Sequence, residues 1–479
     1  MTVTSAVLLQ PRSGSTLTER LARSAVATEG AGIATSDVPD WLAAERLACR
    51  TRVRQIPFAD LDGWSFRAGS GNLRHRSGRF FTVEGLHVVR PDVGMEWQQP
   101  IIVQTEIGIL GILAKEFDGT LHFLMQAKVE PGNPNLVQLS PTVQATRSNY
   151  TKAHGGTAVT YLEHFLDPPP GGVLTDVLQS EHGAWFYRKR NRNMIVEVTG
   201  EVPADERFRW LTLGQLGRLL QQDNVVNMDS RTVLASAPLA YPEHGAIRSD
   251  ADVASWFTGQ RASHEVRAHR IPLAQVAGWC RDEHRIYRPD QRYFRVLAVA
   301  VEGANREVSS WSQPLIEPVA PGVVGFAYRT FAGVPHVLVH ARVEGGFLDT
   351  VELAPTVQCV PANYTQASAA QRPPFLDLML EAPPERVRYA ATHSEEGGRF
   401  RNAESRYLVV ATDEAATPTE APPGYHWVTP GQLSWLAGHS RYVNVQARTL
   451  LAILQTRAAE IGQDSWVGHA AGRYPAART

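Results

Sequence analysis

Residues 138–153 read QLSPTVQATRSNYTKA and residues 352–367 read ELAPTVQCVPANYTQA. Nine of these sixteen positions are identical at an offset of 214. The register continues outward on both sides. Trp97 with Gln99 and Pro100 returns as Trp311 with Gln313 and Pro314, and His122 returns as His336. Lys128-Val129-Glu130 returns as Arg342-Val343-Glu344, and Ser180-Glu181 as Ser394-Glu395. After small insertions, Gly214-Gln215-Leu216 returns as Gly431-Gln432-Leu433, and Asn227 with Arg231 as Asn444 with Arg448. The chain is a tandem duplication. Solenoids and propellers repeat every roughly 20–50 residues, so a unit of this length is a whole domain instead.

The expected organisation is an N-terminal mobile arm (1–38) with a short helix near 15–26, a first repeat (39–240), a second repeat (241–460) and a tail (461–479). Residues 122–130, 193–198 and 407–411 read as strands from their apolar content and partial alternation. Residues 213–222 place Leu at 213, 216, 219 and 220, an amphipathic helix with Thr212 as its N-cap. Strands interleaved with short helices give each repeat an α/β or α+β layer architecture with its own core.

Bulk composition removes several classes. The 479 residues carry 47 Lys and Arg against 48 Asp and Glu, so no global field draws in nucleic acid or anionic lipid. Three cysteines without a CxxC pair fit neither a disulfide framework nor a zinc ribbon. No basic n-region precedes the apolar run at 6–9, and no stretch approaches the about 18 apolar residues of a membrane span. The expected location is the cytoplasm. No GxGxxG follows a strand, and P-loop, HExxH and nucleophile-elbow motifs are absent.

Four constellations carry the remaining chemistry. The basic loop with Arg74, Arg76 and Arg79 offers guanidinium forks that match phosphate oxygens, or else makes a solvated or partner-facing edge. On an alternating strand Gln126, Lys128 and Glu130 share one face, and His340, Arg342 and Glu344 repeat it. Gln144, Arg147, Ser148, Asn149, Tyr150, Thr151, Lys152 and His154 form the third group. Its second copy keeps Asn363, Tyr364 and Thr365 but loses Arg147, Ser148, Lys152 and His154, so the differences favour the first repeat as the working one. Glu181-His182-Gly183 and Glu395-Glu396-Gly397 are the fourth, either acid–base machinery or a helix end. Trp97 and Trp311 are core residues or stacking platforms.

QAKVEPGN (126–133), QLSPTVQATRSNYT (138–151), QSEHGAWFYRKRNRNM (179–194) and VVNMDSRTVLA (225–235) resemble the NDP-hexose 2,3-dehydratase family of deoxysugar biosynthesis. The resemblance runs over nearly the whole chain. It implies two Nudix-like α/β/α sandwich domains with mixed sheets, a homodimer, and a place in antibiotic and related biosynthetic pathways. Trp210–Leu216 and Trp427–Leu433 resemble the closing helix of Nudix domains. The carboxylate-rich helix with which Nudix hydrolases hold Mg²⁺ is missing; Glu395-Glu396-Gly397 comes nearest to it.

The implied reaction is dehydration of a dTDP-4-keto-6-deoxyhexose to a 3,4-diketo-2,6-dideoxy sugar, with no redox cofactor and no metal, followed by a 3-ketoreductase acting on the unstable product. The roles assigned from the residues are Tyr150 or Glu130 as base, Lys128 as electrophile at the C4 oxygen, and His182 or Glu181 as acid. Arg147, Lys152 and the Arg74–Arg79 loop would hold the diphosphate, with Trp97 near thymine and Gln126, Asn149 and Thr151 contacting the sugar nucleotide. A second pocket with Trp311, Arg342, Glu344, Asn363, Tyr364 and Glu395 is expected to be a silent relic. The alternatives are a divergent metal-dependent nucleotide-sugar hydrolase and a non-catalytic nucleotide-sugar-binding protein.

Overall fold

The computed structural model describes residues 16–146, 159–238, 245–303, 310–368 and 371–459. Each repeat builds one seven-stranded and one five-stranded sheet. In the first seven-stranded sheet, Val173–Ser180, Arg190–Glu197, Gly108–Phe117, Thr120–Val129 and Phe208–Leu211 lie side by side. Val137–Ser140 adds to Thr120–Val129, and Val143–Ala145 to Gly108–Phe117. All of these pairings are antiparallel except Arg190–Glu197 with Gly108–Phe117, so the sheet is mixed. The second repeat reproduces the arrangement around Gly322–Phe331 and Val334–Val343. Asp118 and Gly119 close the central hairpin with φ of 49° and 76°. Such a two-residue turn matches the twist of its strands; Ala332 and Gly333 do the same in the second copy.

The strands anticipated at 122–130, 193–198 and 407–411 form, and the helix Leu213–Leu220 is closed by a full capping box from Thr212 and Gln215. Within the expected N-terminal arm, Leu17–Val26 is a helix packed on the first sheet. Ser24 Oγ donates to the carbonyl of Leu121, and Arg20 pairs with Glu197, because the helix has a buried apolar stripe to cover. The difference from a free arm is thus a matter of amphipathicity.

The five-stranded sheets are exchanged between repeats. Arg52–Ile56, from the first repeat, pairs antiparallel with Phe294–Glu302 of the second, Ile56 opposite Ala298. Reciprocally, Arg267–Ile271 pairs with Thr82–Arg90, Ile271 opposite Gly85. Backbone hydrogen bonding does not read side chains, and each strand completes the other repeat's sheet.

A shared core follows. The inward faces of both seven-stranded sheets, with Leu110, Ile112, Val324 and Phe326, belong to one apolar cluster. The helices Met228–Leu234 and Val445–Gln455 pack together within it. Arg231 and Arg448 lie fully buried there. Arg231 donates to the carbonyls of Val226 and Ser394, and Arg448 to those of Val443 and Ser180. Each arginine therefore satisfies backbone of both repeats, and the reciprocity is that of a twofold interface built within one chain.

Candidate active site

The loops at residues 181–189 and 395–403 sit on this internal twofold. Gly132 N–H donates to the carbonyl of Gly397 at 2.7 Å, and Asn402 N–H donates to the carbonyl of Gly132 at 2.8 Å. In the mirrored contact, Gly346 N–H donates to Gly183 at 2.8 Å and Arg188 N–H to Gly346 at 2.7 Å. Glycine is required by this approach: a Cβ on Gly397 would lie 2.2 Å from Asn133 Oδ1 and 2.9 Å from Glu130 Cβ. Each repeat thus lays a turn directly over the polar strand end of the other.

The first polar cluster grows from the end of the strand Thr120–Val129. Lys128 Nζ donates to Gln144 Oε1 at 2.5 Å, and Gln144 Nε2 donates to Glu130 Oε1 at 2.9 Å. Asn133 Nδ2 donates to Glu130 Oε2 at 3.2 Å. Glu181 accepts from Asn191 Nδ2 at 2.7 Å through one oxygen, while its other oxygen is buried without a hydrogen-bond partner among the described residues. The second repeat adds Glu396 and Arg399. Burial pushes the Glu396 carboxyl up to about 7; Arg399 opposes the rise, and Glu181 and Glu130 reinforce it. Burial also raises Asp229, which stands among Glu396, Glu130 and Glu181, well above the carboxylate range. Burial lowers Lys189 against the pull of Glu181 and Glu396. Closely placed carboxyls held at different protonation tendencies are the raw material of acid–base chemistry.

The second cluster repeats the scaffold with other chemistry. Arg342 Nε donates to Glu344 Oε1 at 2.8 Å, and Gln358 Nε2 donates to the same oxygen at 3.0 Å. Its transferred residue is His182, whose Nε2 lies 2.9 Å from Glu395 Oε2. Burial alone would lower the His182 pKa; the bond and charge of Glu395, with Glu181 and Glu344, outweigh it and raise it. Glu395 also accepts from Ser405 and Tyr407. The imidazole stacks on Trp185 and meets Phe400 edge-on, and His182 and Glu395 are 2% and 4% exposed. This is a sealed ion pair.

Lys128, Glu130 and Glu181 therefore come together with Gln126 on the same strand face, whereas His182 turns to the other cluster. The indole of Trp97 donates to Gln99 Oε1 and lies beside Gly345, next to Glu344 instead of Glu130. The indole of Trp311 donates to Gln313 in the same way. Arg74, Arg76 and Arg79 are exposed, and Phe81 just beyond them lies 4.4 Å from the Arg399 guanidinium, tying that loop to the first cluster. Asn363 Oδ1 accepts from the Tyr293 backbone N–H, a structural bond, and Tyr364 lies near Arg342 with its phenol pKa raised by burial. Arg147, Asn149, Tyr150, Thr151 and Lys152 lie outside the described residues.

Arg342 and His340 also line a cavity of about 680 Å³ with Arg90, Arg248, Trp256 and Tyr425. His340 stacks on Tyr425, and burial beside Arg342 pushes its pKa down to about 3, so the ring is neutral. Sequence reasoning left Arg399, Asp229 and Lys189 without roles and weighed Glu396 only within the Glu395-Glu396-Gly397 step. The available signal was their divergence: their counterparts are, in that order, Trp185, Gln446, Ala403 and His182. Among the described residues no three His, Cys, Asp or Glu side chains are grouped to hold a metal ion, and no helix is long and apolar enough to cross a membrane.

Comparison with known proteins agrees with the duplicated architecture. The sequence profile described as NDP-hexose 2,3-dehydratase matches residues 35–237 and again residues 250–454. A dTDP-4-dehydro-6-deoxy-alpha-D-glucopyranose 2,3-dehydratase from Amycolatopsis orientalis is 58% identical over 464 residues, covering 96% of this chain and 98% of the relative. Proteins of the same name from Saccharopolyspora spinosa and Streptomyces violaceoruber are 48% and 49% identical, covering 92% and 87% of this chain and 96% of each relative. The two profile matches fall on the two halves that share the core and the internal twofold, and the chain belongs to the NDP-hexose 2,3-dehydratase family.

Proposed function

We propose that this chain is a hydro-lyase that removes water across C2 and C3 of dTDP-4-keto-6-deoxy-D-glucose, giving dTDP-3,4-diketo-2,6-dideoxy-D-glucose. The activity for which the relatives are named supports the substrate. The observation that carries the placement is the asymmetry of the two clusters: charged groups converge on Glu130, while the equivalent position beside Glu344 is closed by His182–Glu395.

The C4 ketone acidifies the C3 proton, which a modest base removes. Glu130 takes it, oriented by Gln144 and Asn133; Tyr150 is the alternative base. Lys128 donates to the C4 oxygen as the C3–H electron pair moves onto the carbonyl, stabilising the enediolate. The C4 carbonyl then re-forms, the C2–O bond breaks with its electron pair, and the C2 oxygen leaves as water with a proton from a carboxyl of the cluster. The enol between C2 and C3 tautomerises to the 3-ketone.

The Arg74–Arg79 loop holds the diphosphate at the rim, anchored through Phe81. The second repeat keeps a non-catalytic pocket: Arg90, Arg248 and Arg342 with stacked aromatics suit a nucleotide sugar. The assembly is a cytoplasmic homodimer of Nudix-like domains, working upstream of a 3-ketoreductase that consumes the reactive diketone.

The test is incubation of the purified protein with dTDP-4-keto-6-deoxyglucose in EDTA, followed by mass spectrometry with o-phenylenediamine trapping. Loss of one water from the intact sugar nucleotide is expected. Release of dTMP only when Mg²⁺ is restored would assign the protein to hydrolysis instead. A second placement, turnover at the repeat with the 680 Å³ cavity, is favoured by that cavity alone.

A further inference from the structure

We infer that Glu396, contributed by the second repeat, is the general acid that protonates the departing C2 hydroxyl at the first repeat's site. This rests on the first-repeat placement proposed above. Residues 396 and 397 are held on the site by backbone, through the bonds of Gly132 with Gly397 and Asn402. They are packed so closely that Gly397 touches Glu130 and Asn133. Arg399 fixes the same turn from the far side, donating to Gln104 Oε1 at 3.1 Å and covering Phe81.

The groups facing Glu396 come from every element around it: Glu130 from the polar strand end, Glu181 and Lys189 from the first repeat's loop, Arg399 from its own turn. Asp229, at the start of the central helix, senses the same charge. Two carboxyls so near favour a proton on the third acid, and burial raises Glu396 to about 7, so a large share of the molecules hold that proton at neutral pH. The buried Glu181 oxygen without a partner leaves an acceptor free for a ligand hydroxyl. Glu130 accepts from two amides and is engaged as an acceptor, which leaves Glu396 as the donor.

An independent observation is the mirror position. His182 occupies the place of Glu396 in the second cluster but is tied to Glu395 at 2.9 Å and walled by Trp185 and Phe400. The same device, a residue lent across the internal twofold, is thus tied to a carboxylate on one side and set among carboxyls and cations on the other. In the elimination, Glu396 gives its proton to the C2 oxygen as the C2–O bond breaks and the C2=C3 bond forms, and the resulting carboxylate is reprotonated by solvent.

The experiment compares Glu396→Gln, Glu396→Asp and Glu130→Gln in the full chain, in D₂O, following water loss and C3 deuteration of recovered substrate by mass spectrometry. Glu396→Gln should lower kcat by about a hundredfold or more with KM changed less than about threefold. The same variant should still deuterate C3 and should lose the fall in kcat on the alkaline side of about pH 7. Glu396→Asp should recover part of the rate, which separates loss of the acid from loss of fold. Glu130→Gln should abolish C3 exchange and water loss together. Full turnover by Glu396→Gln, or its loss of C3 exchange along with water loss, would overturn the assignment of the acid. Normal turnover by both Glu396→Gln and Glu130→Gln, with loss in Glu344→Gln, would overturn the first-repeat placement itself.

Discussion

The polar clusters at Glu130 and at Glu344 have the same backbone and opposite chemistry. Each takes one acidic residue from its own repeat, Glu181 or Glu395, and one residue from the other, Glu396 or His182. At Glu344 the lent residue is a base beside an acid, so the two neutralise each other and apolar rings close over them. At Glu130 the lent residue is another acid beside acids; Arg399 stands where Trp185 closes the other cluster, and Lys189 adds a cation that the second repeat lacks. A duplicated fold can therefore give its two sites different chemistry by changing residues that the neighbouring repeat supplies, without altering either strand framework.

The comparison breaks most completely if the repeats are separable. The exchanged strands and the shared core predict that residues 16–238 expressed alone do not fold cooperatively. A sharp urea transition of that fragment, measured by circular dichroism, would contradict this. Next in size is the catalytic contrast. Glu130→Gln should reduce kcat by about a thousandfold and Glu344→Gln by less than about threefold, measured as diketone trapped per minute. Lys128→Ala should likewise cost about a hundredfold, while Arg342→Ala leaves turnover nearly intact; the reverse ranking would move the reaction to the second repeat.

Stability should show symmetry where activity does not. Arg231→Ala and Arg448→Ala each orphan buried carbonyls in both repeats, and each should cost about 3 kcal/mol in equilibrium unfolding. A loss confined to one of them would mean the core is less evenly shared. The smallest effect is a pH slope. His182 is raised in the folded state, so its stabilisation is complete below its unfolded pKa of about 6.5 and fades as pH rises through the folded value. Glu395 is lowered, despite its burial, chiefly by its bond to His182, and its contribution fades as pH falls through the folded value. Relative to His182→Asn, the parent protein should therefore lose stability as pH climbs above neutrality. Parallel stability curves for the two proteins across that range would deny the ion pair a role in closing the second cluster.

Much of this architecture was legible along the chain. The offset of 214 exposed the duplication, and the alternation at Gln126, Lys128 and Glu130 identified the polar face, because strand geometry puts every second residue on one side. The capping pattern at Thr212 and the Leu stripe after it located a helix with no tertiary help. The role of His182 was not readable from its adjacency to Glu181. The backbone there turns successive side chains to opposite sides, so Glu181 stays with its own repeat and His182 crosses to the other. Trp97 misled for the same reason: it follows its repeat in sequence and flanks the other repeat's Gly345 in space.

What the amino-acid sequence determined alone is the repeat, its secondary-structure pattern, and the family that long motifs identify. Those properties depend on local periodicity and on residue identity in order. What the tertiary structure decided is which repeat each strand and each turn serves. Arg52–Ile56 and Arg267–Ile271 have interchangeable patterns, and a β-ladder is joined by backbone groups common to all residues, so nothing local distinguishes the sheet within a repeat from the sheet of its neighbour. Only the folded chain settles that choice, and with it the placement of Glu396 beside Glu130 and of His182 beside Glu395.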